Sequence, residues 1–314
     1  MFFSFWHSIR YILVKYKRYK KMGEFYNPDK LYKGGSRNNS LINKKMIFRV
    51  LGVLLFIESA MFLLCAAISL CYGEQDYQYF LYTILLNTLV GGVLLICSRG
   101  AENRLTRRDG YCIVTFTWFL FTLFGMLPFY FSGGIPSVTD AFFETMSGFT
   151  TTGATILDDI ESLSHGLLFW RSLTQWIGGL GIVFFTIAVL PIFGGGTIQL
   201  FSAEAIGVTH DKTHPRIDVM AKWLWMIYAI LTVVETMLLI IGGMSFFDAV
   251  CHSFSTTATG GYSTKQASVA YWNSPFIEYV IAIFMILSGI NFSLYFMCLK
   301  GKGKRLFQDD EFRW

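Results

Sequence analysis

The sequence predicts an all-α integral membrane protein: a leading helix pair followed by two helix–re-entrant loop–helix repeats. Hydrophobic residues make up 54% of the 314 residues and charged residues 15%, and the mean hydropathy is +0.48. A soluble protein of this size could not bury so much apolar surface. Long apolar segments alternate with short polar ones, and one polar stretch occurs twice, 108 residues apart.

A transmembrane helix needs ~20 mostly apolar residues. We predict six spans, at about residues 46–72, 77–98, 111–132, 167–193, 220–243 and 273–299. The chain then divides into a basic N-terminal extension (1–42), a leading helix pair (43–110), a first repeat (111–194), a linker (195–219), a second repeat (220–300) and the start of a further loop (301–314).

The distribution of lysine and arginine predicts the orientation, because cytoplasmic loops carry an excess of both. Basic residues fill the segment before the first span, the loops after the second and fourth spans, and the segment after the sixth span. The opposite side is rich in acidic residues. We therefore expect both ends of the chain in the cytoplasm and both re-entrant segments outside. The expected environment is the lipid bilayer. The first residues, 1–21, are either an interfacial anchor on anionic lipid, a poorly ordered extension, or the product of a start codon mis-called upstream of Met22 or Met46.

The duplicated stretch runs from Asp140 to Thr155 and from Asp248 to Ser263, with five identical positions. Each copy begins with about ten residues that can be helical, Asp140–Phe149 and Phe247–Thr257, and then becomes rich in Thr and Gly. That length suits a half-helix that enters the membrane and returns, and not a span. The surrounding spans repeat in the same register, so the repeated unit is a hairpin of two spans with a re-entrant loop.

A loop of this kind has the chemistry of an ion pore. A dehydrated monovalent cation needs oxygen ligands, which backbone carbonyls in a narrow path provide. Glycine permits the unusual backbone angles that such a path requires. The C-terminal end of a half-helix carries a partial negative charge of roughly −0.5 toward the cation. Neither Thr/Gly strand contains a carboxylate, which disfavours divalent ions.

Four segments resemble the Trk/Ktr/HKT potassium transporter superfamily, and within it the TrkH-type uptake subunit. They are Phe143–Thr155, Trp176–Ile182, Ala258–Thr264 and Ser288–Phe292, and the resemblance covers about residues 42–314. It implies a potassium-selective filter whose extended Thr/Gly strands are formed by Thr151, Thr152, Gly153, Thr259, Gly260 and Gly261, with Thr150, Thr155 and Ser263 in support.

The resembled family has four repeats in one chain, whereas this chain has two. Two repeats cannot encircle a path, so we expect the partner to be a missing C-terminal half with the third and fourth repeats, or a second copy. The resemblance also implies a homodimer of full-length subunits, a cytosolic nucleotide-binding regulatory ring, and the plasma (inner) membrane of a prokaryote. No nucleic-acid partner is expected.

The expected function is potassium uptake through a glycine-lined filter. Alternatives are a sodium-permeable or sodium-coupled transporter of the same architecture, or a non-conducting half-subunit. An enzyme is not expected, because the sequence has no nucleophile–base pair, phosphate loop or metal cluster. Potassium is the transported ion, and no covalent cofactor or transition metal is expected.

Charged residues and glycines within the spans allow two readings. Glu58 and Glu235 could relay cations or be hydrogen-bonded in the packing between helices. Gly178, Gly179 and Gly181 could form a hinge in the fourth span or permit close helix packing. Arg171, near the outer end of the fourth span, is expected to extend toward the membrane interface.

Overall fold

The computed structural model describes residues 42–101, 107–179 and 217–290, together with Gly181 and Tyr295. The predicted extension up to residue 41, the linker 195–219 and the segment 301–314 lie outside these residues. So do the C-terminal parts of the fourth and sixth predicted spans.

The described residues form nine α-helices and contain no β-strand. In chain order they are α1 (Lys44–Cys71), α2 (Tyr77–Cys97), α3 (Arg107–Gly125), α4 (Leu127–Phe131), α5 (Val138–Phe149), α6 (His165–Gly179), α7 (Ile217–Ile241), α8 (Phe246–Thr257) and α9 (Pro275–Gly289), with a 3₁₀ turn at Ser268–Trp272 before α9.

Four of the described helical segments are long and apolar enough to cross a membrane. They are Lys44–Cys71, Tyr77–Cys97, Arg108–Phe131 and Trp223–Ile241. These confirm the first, second, third and fifth predicted spans, while α6 and α9 are the described parts of the fourth and sixth.

The third span is broken at Met126, where α3 gives way to α4. Pro128 lies in the first turn of α4, where a missing backbone N–H costs little. The indole Nε1 of Trp170 donates to the carbonyl of Gly125 over 2.8 Å. A side chain of α6 thus provides a hydrogen-bond donor for a carbonyl that the break in the third span leaves without a helical partner.

The leading pair, α1 and α2, crosses at two glycines. A Cβ atom on Gly52 would lie 2.9 Å from the carbonyl oxygen of Gly91, and one on Gly91 would lie 3.2 Å from that of Gly52. Small residues let transmembrane helices approach closely in this way. The pair then packs on the first repeat, where the rings of Phe62 and Trp170 lie 4.5 Å apart between centroids.

The polar residues of the leading pair lie inside it. The carboxylate of Glu58, which is fully buried, accepts a hydrogen bond from Asn87 Nδ2 over 3.1 Å. The same amide nitrogen donates to the carbonyl of Leu55 over 3.2 Å. Glu58 is therefore hydrogen-bonded in the packing between α1 and α2, which agrees with the second of the two hypotheses for this residue.

The two predicted half-helices are α5 and α8, each of 12 residues. A helix of this length extends ~18 Å, which is too short to cross a hydrocarbon core of ~30 Å. Both begin at a serine N-cap. The hydroxyls of Ser137 and Ser245 accept from the backbone N–H of Asp140 and Asp248, at 3.4 and 3.0 Å. This capping places both helices one or two residues earlier than predicted.

Candidate cation-binding site

The first half-helix, α5, ends in a turn that reverses the chain into the Thr/Gly stretch. The backbone N–H of Thr151 donates to the carbonyl of Gly148 over 3.0 Å, and that of Thr152 donates to Ser147 over 3.0 Å. This pair of bonds is the Schellman motif, which satisfies the last carbonyls of a helix.

The second half-helix, α8, ends in the same way. The N–H of Thr259 donates to Thr256 over 2.9 Å, and that of Gly260 donates to Ser255 over 2.8 Å. Each of these four residues lies 108 positions after its counterpart in the first repeat. The repeat therefore extends from the sequence to the backbone hydrogen bonds.

The backbone angles repeat as well. Thr151 and Thr259 have φ of 53° and 56°, and Gly153 and Gly261 have φ of 72° and 87°. Glycine adopts positive φ freely, but a β-branched threonine does so only under strain. Such strain persists where the surrounding structure determines the conformation, and it is concentrated at functional sites.

The two Thr/Gly stretches meet at their glycines. A Cβ atom at Gly153 would overlap the carbonyl oxygen of Gly260, well inside van der Waals contact. At Gly261, by contrast, a Cβ atom would meet nothing within 4 Å. Gly153 thus brings the two stretches together, and Gly261 borders open space.

The helix α6 supports the second stretch from behind. Gln175 is fully buried, and its Oε1 accepts from the backbone N–H of Tyr262 over 3.1 Å. A Cβ atom on Gly260 would lie 2.5 Å from the same oxygen. Gly260 therefore has to be small because Gln175 occupies the space behind it.

Glu144 organises the outer part of the first stretch. Its carboxylate accepts from Thr155 Oγ1 over 2.9 Å and from the backbone N–H of Ile156 over 3.0 Å. It also accepts from Arg171 Nε over 2.7 Å. Because Glu144 lies on α5 and Arg171 on α6, the carboxylate joins the half-helix, the returning strand and the following span.

The expectation that Arg171 extends to the membrane interface is wrong. Its side chain is 2% exposed and contacts the second repeat. Nη1 donates to the carbonyl of Ser263 over 2.9 Å, and the guanidinium lies 3.6 Å from the ring centroid of Tyr262. The ion pair with Glu144 removes the need to reach water, because the charge is compensated inside the protein.

The second repeat makes the corresponding contact between half-helix and Thr/Gly stretch with a histidine and a serine. His252 and Ser263 lie 108 residues after Glu144 and Thr155. The Nε2 of His252 and the hydroxyl of Ser263 are 3.0 Å apart. In both repeats, therefore, a buried polar residue on the half-helix holds a hydroxyl at the outer end of the strand.

The nine residues predicted from the resemblance fall into two groups. Six lie in the paired stretches: Thr151, Thr152, Gly153, Thr259, Gly260 and Gly261. The three supporting residues have separate positions. The hydroxyl of Thr150 lies 2.8 Å from that of Thr152 on the exposed side, whereas Thr155 and Ser263 bond to the half-helices.

Sequence reasoning missed the residues that hold the stretches together: Glu144, Arg171, Gln175 and Tyr262. One signal was available. A charged residue within a span is costly unless it is paired, so Arg171 and a carboxylate in the nearby half-helix could have been predicted to meet.

The glycines of α6 permit close packing, as the second reading of them expected. A Cβ atom on Gly178 would overlap the carbonyl oxygen of Phe149, and one on Gly179 would lie 2.7 Å from the Cα of Ala258. Glu235 is likewise part of the packing, since its carboxylate accepts from Thr257 Oγ1 over 3.3 Å.

Two short half-helices, each followed by a strained Thr/Gly stretch and set between long apolar helices, define an all-α membrane protein. The TrkH family model, described as a cation transport protein, matches residues 76–313. The chain belongs to this family.

Relatives and a solved structure agree with this assignment. The chain is 42% identical over 272 residues to the Trk system potassium uptake protein TrkH of Salmonella typhimurium, covering 86% of this chain and 56% of that protein. It is 33% identical over 273 residues to the Trk system potassium uptake protein TrkG of Escherichia coli, covering 86% and 56%. The crystal structure of the potassium transporter TrkH from Vibrio parahaemolyticus matches with a TM-score of 0.72 and 36% identity, over 86% of this chain and 55% of that one.

The chain spans about half the length of these relatives. They are named as transport proteins and not as enzymes. Among the described residues, no group of three or more His, Cys, Asp or Glu side chains could hold a metal ion.

Proposed function

We propose that this protein takes part in potassium uptake across the cytoplasmic membrane, through a filter lined by its two Thr/Gly stretches. One observation carries the proposal: the same left-handed Thr-x-Gly backbone follows both half-helices, at Thr151–Gly153 and Thr259–Gly261. Its relatives are named as potassium uptake proteins.

The potassium ligands in this proposal are the backbone carbonyls of Thr151, Thr152, Gly153, Thr259, Gly260 and Gly261. Left-handed residues two positions apart reorient the intervening peptides, so neighbouring carbonyls can face one path. The half-helices end beside these stretches and add their partial negative charge. The Glu144 carboxylate is buried and used by its own partners, which leaves neutral oxygens for a monovalent ion.

A partner must close the path, because the two stretches are open on one side. Thr152 and Gly261 are exposed. In the first repeat, Arg171 and Gln175 lie on the face of α6 that contacts the second repeat. Their counterparts 108 residues later, on α9, are Tyr279 and Ile283, and both of these apolar side chains are exposed. We propose that this face of α9 receives a further repeat, supplied by a third-and-fourth-repeat segment or by a second copy.

The remaining parts of the proposal rest on the family resemblance and on the charge pattern. They are a homodimer of full-length subunits, a cytosolic nucleotide-binding ring on the linker face, and an inner-membrane location with both ends of this chain in the cytoplasm. The division into a leading pair and two repeats, with boundaries near residues 43, 111, 195 and 220, belongs to the same proposal.

Complementation tests the function directly. The chain is expressed in bacteria that lack their own potassium uptake systems, alone and together with the third and fourth repeats of a TrkH relative. Growth at low potassium and uptake of ⁸⁶Rb⁺ are measured against ²²Na⁺ uptake. We expect rubidium uptake, at least in the completed assembly. Sodium uptake equal to rubidium uptake would favour the sodium-permeable alternative, and uptake of neither ion would contradict the proposal.

A further inference from the structure

The second Thr/Gly stretch is held by the first repeat as well as by its own half-helix. Two side chains of α6 contribute: Arg171 Nη1 donates to the carbonyl of Ser263, and Gln175 Oε1 accepts from the N–H of Tyr262. The half-helix α5 contributes a third bond, because the carbonyl of Glu144 accepts from the Tyr262 hydroxyl over 2.8 Å. Arg171 and Gln175 are four residues apart, so they lie on one face of α6.

Arg171 makes a further connection between the two stretches. Through Glu144 it reaches Thr155 and Ile156 at the end of the first stretch, and through Nη1 it reaches Ser263 at the end of the second. A planar guanidinium with several donors can bind two acceptors at once in a fixed geometry, which a lysine ammonium cannot reproduce. The contacts of Arg171 with Glu144 and with the carbonyl of Ser263 are buried, and Glu144 and Arg171 are each 1% exposed.

We infer that Arg171, paired with Glu144, is a positioning residue that sets the distance between the two filter stretches and thereby the selectivity of the path. Its partners in this arrangement are protein groups: the Glu144 carboxylate, the carbonyl of Ser263 and the ring of Tyr262. It acts by holding the carbonyl of Ser263 and the ring of Tyr262 in register with Thr155. This inference rests on the proposed function, since selectivity has meaning only if the stretches line an ion path.

The contact that corresponds to Glu144–Arg171 is absent from the described part of the second repeat. The counterparts at the 108-residue offset are His252 and Tyr279, and Tyr279 is 72% exposed. The Glu144–Arg171 ion pair is therefore specific to the contact between the first and second repeats and is not a feature that the repeat duplicates.

The test uses the whole chain and two independent measurements. Hydrogen exchange by mass spectrometry reports on the second stretch without requiring ion flux. In Arg171→Gln we expect the peptide covering residues 258–264 to exchange roughly tenfold to hundredfold faster, because bonds to a charged donor are lost. Peptides from α1 and α2 are expected to exchange at the wild-type rate.

The second measurement is the ratio of ⁸⁶Rb⁺ to ²²Na⁺ uptake by the conducting assembly, and we expect it to fall in the same variant. Arg171→Lys is expected to fold, and to show the same faster exchange of residues 258–264 and the same lower uptake ratio as Arg171→Gln. Lys265→Gln is the matched control, because it removes one positive charge two residues after Ser263 from an exposed pair with Glu161. It should alter neither measurement.

If Arg171→Gln does not fold, the double variant Glu144→Gln/Arg171→Gln replaces it, because it leaves no unpaired buried charge. Unchanged exchange of residues 258–264 in a folded variant would overturn the inference. So would faster exchange with an unchanged uptake ratio, which would show a purely structural role. If the wild-type assembly carries neither ion, the proposed function fails, and the exchange data alone decide whether Arg171 holds the stretch.

Discussion

The α-carbon of Gly153 lies against the carbonyl oxygen of Gly260, so that residue 153 has no room for a Cβ atom. The two glycines belong to different repeats, yet they form one contact. Gly261, the counterpart of Gly153, has no such neighbour and needs glycine only for its positive φ of 87°.

This difference predicts unequal effects of the same substitution. Gly153→Ser must separate the two stretches, whereas Gly261→Ser adds backbone strain of ~1–2 kcal/mol and points its side chain into open space. We expect both to lower rubidium uptake relative to sodium uptake, and Gly153→Ser to lower it more. Isotope uptake by the conducting assembly measures this, and a larger effect at Gly261 would contradict the assigned contact.

Thr151 predicts a stabilising substitution. Its φ of 53° is unfavourable for a β-branched residue, and glycine adopts that angle freely. We expect Thr151→Gly to raise the free energy of unfolding by about 0.5–1 kcal/mol, after subtracting the entropy that glycine loses on folding. Denaturant titration of the purified protein measures the change. The control is Thr88→Gly within α2, which should instead destabilise by about 0.3 kcal/mol.

The two ion pairs around the stretches should differ greatly in their contribution to stability. Glu144 and Arg171 are buried, whereas Glu161 and Lys265 lie 3.4 Å apart with the Glu161 side chain 42% exposed. We expect Glu144→Ala to destabilise by about 3–5 kcal/mol, because it leaves a buried charge unpaired. Glu161→Ala should cost less than about 1 kcal/mol because solvent screens that pair. Similar losses in both variants, measured by thermal unfolding, would argue against the buried arrangement.

The serine caps predict a smaller and local effect. Ser245 accepts from the N–H of Asp248 and donates to its Oδ2 over 2.8 Å, whereas Ser137 makes only a longer bond of 3.4 Å. We expect Ser245→Ala to cost about 1 kcal/mol and Ser137→Ala to cost less. Hydrogen exchange at the first turns of α8 and α5 reports each cap separately.

The leading pair offers a test of its glycine crossing. Gly91 lies against Gly52, while the adjacent Gly92 would place a Cβ atom in open space. We therefore expect Gly91→Leu to separate α1 from α2 and to lower the unfolding temperature, and Gly92→Leu to leave it nearly unchanged. Equal losses would show that the two helices do not cross at Gly91.

Local sequence patterns predicted much of this molecule. The apolar runs predicted the C-terminal ends of α1, α2 and α7, at Cys71, Cys97 and Ile241, to within two residues. The change from apolar to Thr/Gly-rich sequence predicted where α5 and α8 end. The caps at Ser137 and Ser245 were not predicted, because a cap depends on a single side chain and not on a periodic pattern.

By itself, the sequence determined the spans, the half-helices and the duplication of the Thr/Gly stretch, because each depends on residues close together in the chain. Only the tertiary structure decided which residues hold the stretches together. Arg171 pairs with a carboxylate 27 residues earlier and with a carbonyl 92 residues later. A buried charge is stable only when its partners surround it in space, and nothing in the local sequence specifies partners that distant.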